Sequence, residues 1–174
     1  FGEVQDHRTI EAKSTTVHGA VYGHLVSRGG AILLRRNLVG GSARNLDGGV
    51  RVLGVASQAT IQATKGEVRL DRAENCVISG ARIRIETAIN CEIIGDEVEV
   101  ARAEGSAIAG RRVSIGRAAP WKQGEMLAWL LRPDCARIET ALAQVREGGD
   151  QFGQLAAQRR SAMGTLTGQP RISK

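Results

Sequence analysis

Aromatic residues are nearly missing from this chain. They make up 3% of 174 residues, and none lies between Tyr22 and Trp121. A globular core normally uses Phe, Tyr and Trp as its large fillers. A stretch that long without them must close around a core narrow enough for Val, Ile, Leu and Ala. Cysteine is scarce as well, with three residues. That excludes a disulfide framework and points to a reducing cytoplasm. Histidine stops at His24. No apolar run reaches the ~18 residues of a membrane span. The opening, FGEVQDHRTIEAK, lacks the basic-then-apolar order of a signal peptide.

Charge of one sign is not concentrated anywhere. The net charge is +6, from 24 basic and 18 acidic residues, but the two signs are interspersed. Such a pattern reads as a solvated surface, with no nucleic-acid partner expected. Glycine is abundant, at 22 residues.

The dominant feature is a repeat. EVRLDRAENCVISG, ARIRIETAINCEIIG and DEVEVARAEGSAIAG run end to end from Glu67 to Gly110. Val68/Leu70, Ile83/Ile85, Val98/Val100 and Val113/Ile115 recur every 15 residues, and Ala73, Ala88, Ala103 and Ala118 keep the same step. So do Cys76, Cys91 and Ser106. A fixed period in β-branched segments marks a solenoid, and this one is too short for a helical hairpin repeat. Fifteen residues suit one coil of short strands joined by tight turns. Successive side chains alternate faces, so Val68 and Leu70 point inward and Arg69 outward, and coils stack about 4.8 Å apart. The column Glu67, Arg82, Glu97, Arg112 then sets opposite charges on neighbouring coils. Upstream, Ile32/Leu34, Val50/Val52 and Val68/Leu70 are 18 residues apart, each pair preceded by glycine. The sequence thus predicts an all-β solenoid: a single-stranded parallel β-helix of six or seven coils, about 30 Å long. A right-handed coil follows the preference of parallel crossovers.

The phrases NLVGGSARNLDGGVRVLG and SQATIQATKGEVRL, with the pairs Gly29-Gly30, Gly40-Gly41 and Gly48-Gly49, resemble the bacterial flagellar assembly protein A family. The likeness covers residues 15–118 and departs from the family at Ala31, where an acidic residue is usual. It implies a parallel β-helix followed by a coiled-coil helical segment. It carries over no catalytic residue.

The composition changes at APWKQGEMLAWLLRPDCARIETALAQVREGG. Trp121 and Trp129, eight apart, would share a helix face. Pro133 would break that helix and Asp134 would cap a second, with Ile138, Leu142 and Val145 at helical spacing and Gly148-Gly149 ending it. The expected organisation is a lead-in at 1–14, the β-helix at 15–118, a helical cap or partner-binding segment at 119–149, and a short helix with a flexible tail at 150–174.

Candidate chemistry is thin. GGSARNLDGG lacks the order of a phosphate-binding loop and reads as corner glycines. Cys76 and Cys91 should stack on adjacent coils, within disulfide range by Cα distance, but read better as small core fillers. Cys135 stands apart. His7, His18 and His24 have no carboxylate or Cys cluster around them, so no metal site is expected. No catalytic, cofactor-binding or metal-binding residue is assigned, and no cofactor. The resulting expectation is a non-catalytic cytoplasmic bacterial scaffold. It would act by protein–protein contact or self-association through β-helix faces and the region of Trp121, Trp129, Ile138 and Leu142, linked to flagellar assembly or cell-surface organisation. Two alternatives are a bactofilin-like polymer and a hexapeptide-type acyltransferase. The acyltransferase requires a six-residue step, which the 15-residue coils break.

Overall fold

Alternating aliphatic residues wind the chain into stacked three-sided coils. In a computed structural model, residues 1–122, 124–131, 140–147, 149 and 152–154 are described. The chain separates into two units, Phe1–Arg132 and Pro133–Lys174. The first unit carries β1 (Thr9–Ala12), β2 (Thr15–Val17), β3 (His24–Ser27), β4 (Ile32–Leu34), β5 (Leu38–Val39) and β6 (Ser42–Asn45). These are followed by β7 (Val50–Ser57), β8 (Thr60–Glu74), β9 (Val77–Ile89), β10 (Glu92–Glu104), β11 (Ala107–Ala119) and β12 (Leu127–Leu130). Every pairing between these strands is parallel. The architecture is a parallel β-solenoid of about seven turns.

Four columns of side chains fill the interior, one from the first face, two from the second and one from the third. On the first face Ile10, Leu25, Ala43, Ile61, Ile78, Ile93 and Ile108 stand in register. On the second, Ile32, Val50, Val68, Ile83, Val98 and Val113 do so. Their neighbours Leu34, Val52, Leu70, Ile85, Val100 and Ile115 form a parallel ladder. The third face is lined by Ala56, Ala73, Ala88, Ala103 and Ala118. Small residues on one side and branched ones on the other two give a narrow, dry core, which explains the missing aromatics. Ile61, Val68, Ile78, Ala88 and Ile93 are fully buried, and Arg69, Arg84 and Glu99 between them face solvent, as the alternation required.

The change of period has a visible origin. One face-joining corner holds two residues in the first coil (13–14), four in the next three (28–31, 46–49, 64–67) and two in the later ones (81–82, 96–97, 111–112). The step from 17 to 15 is a register shift between Ala63 and Glu67 on β8. The step from 18 to 17 is a shift between Val52 and Val55 on β7. Both changes occur at corners, so the inward columns are undisturbed.

Several expectations need correction. Residues 1–14 are not a lead-in: β1 pairs with β3, Thr9 opposite His24, and Val4 bridges Val21. The solenoid therefore begins near Val4. At the other end, Leu127–Leu130 is a strand, not a helix, stacked on β11 with Leu127 opposite Ala107 and Trp129 opposite Ala109. Periodicity cannot separate a short continuous apolar run such as MLAWLL into helix or strand, and the open rung of β11 offers it a hydrogen-bonding edge. Trp121 instead exchanges hydrogen bonds with Gly124 (3.1 and 2.8 Å) around Lys122 at φ 53, so it shares no helix face with Trp129. The domain boundary at 118 moves accordingly past 130. In the second unit residues 140–147 are helical, including Leu142 and Val145, and Gly149 is itself helical, so it does not end the helix. The expected break at Pro133, the Asp134 cap, Ile138, Cys135, Gly148 and the tail from 155 lie outside the described residues.

Candidate interaction surfaces

Five successive coils are closed at one corner by a residue in the left-handed region. Gly40 (φ 68), Gln58 (φ 51), Asn75 (φ 52), Asn90 (φ 50) and Gly105 (φ 53) occupy that corner coil after coil. Each donates its N–H to a carbonyl of the next coil: Gln58 to Glu74 (2.9 Å), Asn75 to Ile89 (3.0 Å), Asn90 to Glu104 (2.8 Å) and Gly105 to Ala119 (2.9 Å). Gly and Asn adopt this conformation at little cost. Their recurrence at 75, 90 and 105 was a signal in the sequence that a reading of apolar columns passes over.

The residue that follows this corner points inward: Ala59, Cys76, Cys91 and Ser106 are all buried. Cys76 and Cys91 are free thiols. Cys76 Sγ lies 3.2 Å from the Glu74 carbonyl and Cys91 Sγ 3.3 Å from that of Ile89. Ser106 Oγ accepts the Cys91 N–H at 3.1 Å and donates to Glu104 O at 3.0 Å. The Cys91 thiol, donating to Cys76, lowers the Cys76 pKa to about 7. That same contact, with burial, pushes the Cys91 thiol well above its usual value. The pair therefore gives up one proton readily and holds the second.

The glycine-rich stretch is a corner, as read. A Cβ on Gly41 would collide with the backbone carbonyl of Gly23, and one on Gly66 with that of Gly48. Asn45, buried at the end of β6, donates to the carbonyls of Gly30 (2.7 Å) and Gly49 (2.9 Å) and accepts from Gly48 N–H (2.9 Å). The polar atoms of this loop are turned onto the chain itself. His24 Nδ1 sits 2.9 Å from Ser42 Oγ, His7 meets Asp6 at 3.2 Å, and the His18 backbone donates to Phe1 O. Among the described residues no group of three or more His, Cys, Asp or Glu is placed to hold a metal.

Two surfaces remain. The second face bears charges in rows. Arg82 and Arg84 share one coil and Glu97 and Glu99 the next, with Arg112 beyond, around a shallow depression. Arg112 pairs with Glu97, but the expected Arg82 contacts are replaced by contacts of Arg84, one diagonal to Glu67 and one straight across to Glu99. Arg84 reaches Glu67 (3.6 Å) and Glu99 (3.2 Å). Arg82 makes no ion pair among the described residues. The other surface is the C-terminal end of the solenoid. There Trp121, Leu127, Trp129, Leu130 and Leu131 are exposed, Leu130 to 75%. Among the described residues no strand pairs with the outer edge of β12. No helix among the described residues is long and apolar enough to cross a membrane.

No protein-family model, curated protein or solved structure matches this chain.

Proposed function

We propose that this protein is a non-catalytic bacterial scaffold whose β-solenoid presents regular faces and an adhesive end to protein partners. The observation that carries the reading is the apolar end at Trp129, Leu130 and Leu131. A soluble protein rarely leaves so many large apolar side chains together unless something binds them. Tryptophan at such a patch is a favourable anchor. The interior supports the same reading, because its columns of Val, Ile, Leu and Ala fill the space a small ligand would need. The glycine-paired coils resemble the flagellar assembly protein A family, and on that likeness the scaffold serves flagellar assembly or cell-surface organisation from the cytoplasm.

A second reading is end-to-end self-association, as in a bactofilin-like polymer. It is favoured by β12, which presents a strand edge where a helical cap was expected, and strand edges are templates for further pairing. Light scattering on the full chain separates the two. A scaffold for other proteins stays at monomer mass with concentration and captures a partner through Trp129 and Leu130. A polymer grows in mass and is dispersed by Leu130→Glu. Acyl transfer to an amine or hydroxyl acceptor by the purified chain would overturn both.

A further inference from the structure

We propose that Cys76 and Cys91 are a peroxide-sensitive thiol pair that closes to an intramolecular disulfide inside the solenoid. The two residues occupy one corner of consecutive coils. Glu92 N–H donates to Cys76 O at 2.9 Å and Asn90 Nδ2 to Asn75 Oδ1 at 2.7 Å, which locks the two corners in register. Rungs so paired hold their Cα atoms about 4.8 Å apart, inside the range of roughly 4.4–6.8 Å that disulfides bridge. Parallel Cβ atoms start at about the same separation and must close to about 4.5 Å or less. Both cysteines lie between strands rather than within one, so the backbone can give by the few tenths of an ångström required.

The chemistry balances with a hydroperoxide as oxidant. The Cys76 thiolate attacks the peroxide O–O bond, gaining an oxygen as sulfenic acid and releasing hydroxide. Cys91 sulfur then attacks the Cys76 sulfur, displacing the sulfenic oxygen. The Cys91 thiol proton leaves with that oxygen, as water. Two thiols are oxidised by two electrons and one peroxide is reduced. Cys76 and Cys91 are 1% and 2% exposed as residues. Both residues help line a shallow groove together with Asn75, Asn90, Gly105 and Leu127. A molecule as small as hydrogen peroxide suits that opening. The disulfide is neutral and apolar.

The test uses the full chain in a Cys135→Ser background, which leaves these two thiols. After hydrogen peroxide the intact mass should fall by two hydrogens. A non-reducing digest should link the Cys76 peptide to the Cys91 peptide. The thermal midpoint should rise by about 5–10 °C, as expected for a closed loop of this size. In the same background Cys91→Ser should stop at the sulfenic acid, trapped by dimedone. This variant is compatible with the fold, since Ser106 fills the same position one coil on. Addition of two oxygens to either sulfur without a cross-link would overturn the proposal. So would disulfide-linked dimers, or an unchanged mass at a dose that oxidises both thiols in the unfolded chain.

Discussion

Asn90 donates its side-chain amide to Asn75 Oδ1 at 2.7 Å while both backbones hold left-handed φ angles of 50° and 52°. One residue type thus satisfies two demands, a turn that disfavours most L side chains and a hydrogen bond between coils. Asn90→Gly should keep the turn and lose the side-chain bond, with a net change within about 1 kcal/mol. Asn90→Val should cost about 2 kcal/mol, because a β-branched residue is strained at positive φ. Urea midpoints of the two variants check the ordering. A Val variant as stable as the Gly variant would show that the corner relaxes out of the left-handed region.

Ile83 lies mid-solenoid and is 1% exposed. Ile83→Ala should cost about 2–5 kcal/mol, as buried large-to-small changes do. Ile83→Asp should be worse, since an unpaired charge would enter the column. A soluble Asp variant with an unchanged thermal midpoint would contradict the inward placement.

Thr15 is buried, and its Oγ1 has no hydrogen-bond partner. It stands directly below Ile32 and Val50 in the second-face ladder. Thr15→Val keeps the branched shape and removes the unsatisfied hydroxyl. It should stabilise the chain by about 1 kcal/mol, read as a higher urea midpoint at unchanged slope.

Arg84 and Arg82 point from the same coil yet differ in partners. Arg84→Gln removes two ion pairs, one diagonal to Glu67 and one straight across to Glu99, and Arg82→Gln removes none. Because these groups are largely exposed, the Arg84 change should cost less than about 1 kcal/mol and fade in high salt. Arg82→Gln should be near neutral at all ionic strengths. Equal losses for the two variants at low salt would argue for a long-range field rather than contact pairs.

The thiol pair carries a pH dependence of definite sign. The thiolate is the attacking form, and the Cys76 pKa is lowered to about 7 by the Cys91 thiol. The oxidation rate should therefore climb as pH rises through about 7 and level off above it. In Cys91→Ser a serine hydroxyl is a different donor, so the inflection of dimedone trapping should move upward. A rate that is flat between pH 6 and 8 (about one unit either side of that value) would show that coil opening, not ionisation, limits the reaction.

Much of the solenoid was legible because its information is columnar. Val68, Ile83, Val98 and Val113 announce an inward ladder by spacing alone, and the alanines keep the same step, although the face they line shows only in the structure. What stayed hidden depends on backbone rather than on hydropathy. Gln58, Asn75 and Gly105 share a corner only because all three hold positive φ, and Gln is not a residue from which that would be read. The diagonal reach of Arg84 is a matter of side-chain length and rotamer, which a register count cannot supply. MLAWLL misled because its placement is decided by the open edge of β11, a tertiary feature without a local signature.

The four-residue corners at 28–31, 46–49 and 64–67 lie outside the columns, and the coil loses two residues at this corner beyond β8 without disturbing them. Chain length at this corner is therefore decoupled from the interior. Segments grafted at 28–31, 46–49 and 64–67 would emerge side by side along one edge, at intervals of about 4.8 Å. The fold thus behaves as a graduated rail, on which appendages can be lengthened or exchanged one notch at a time.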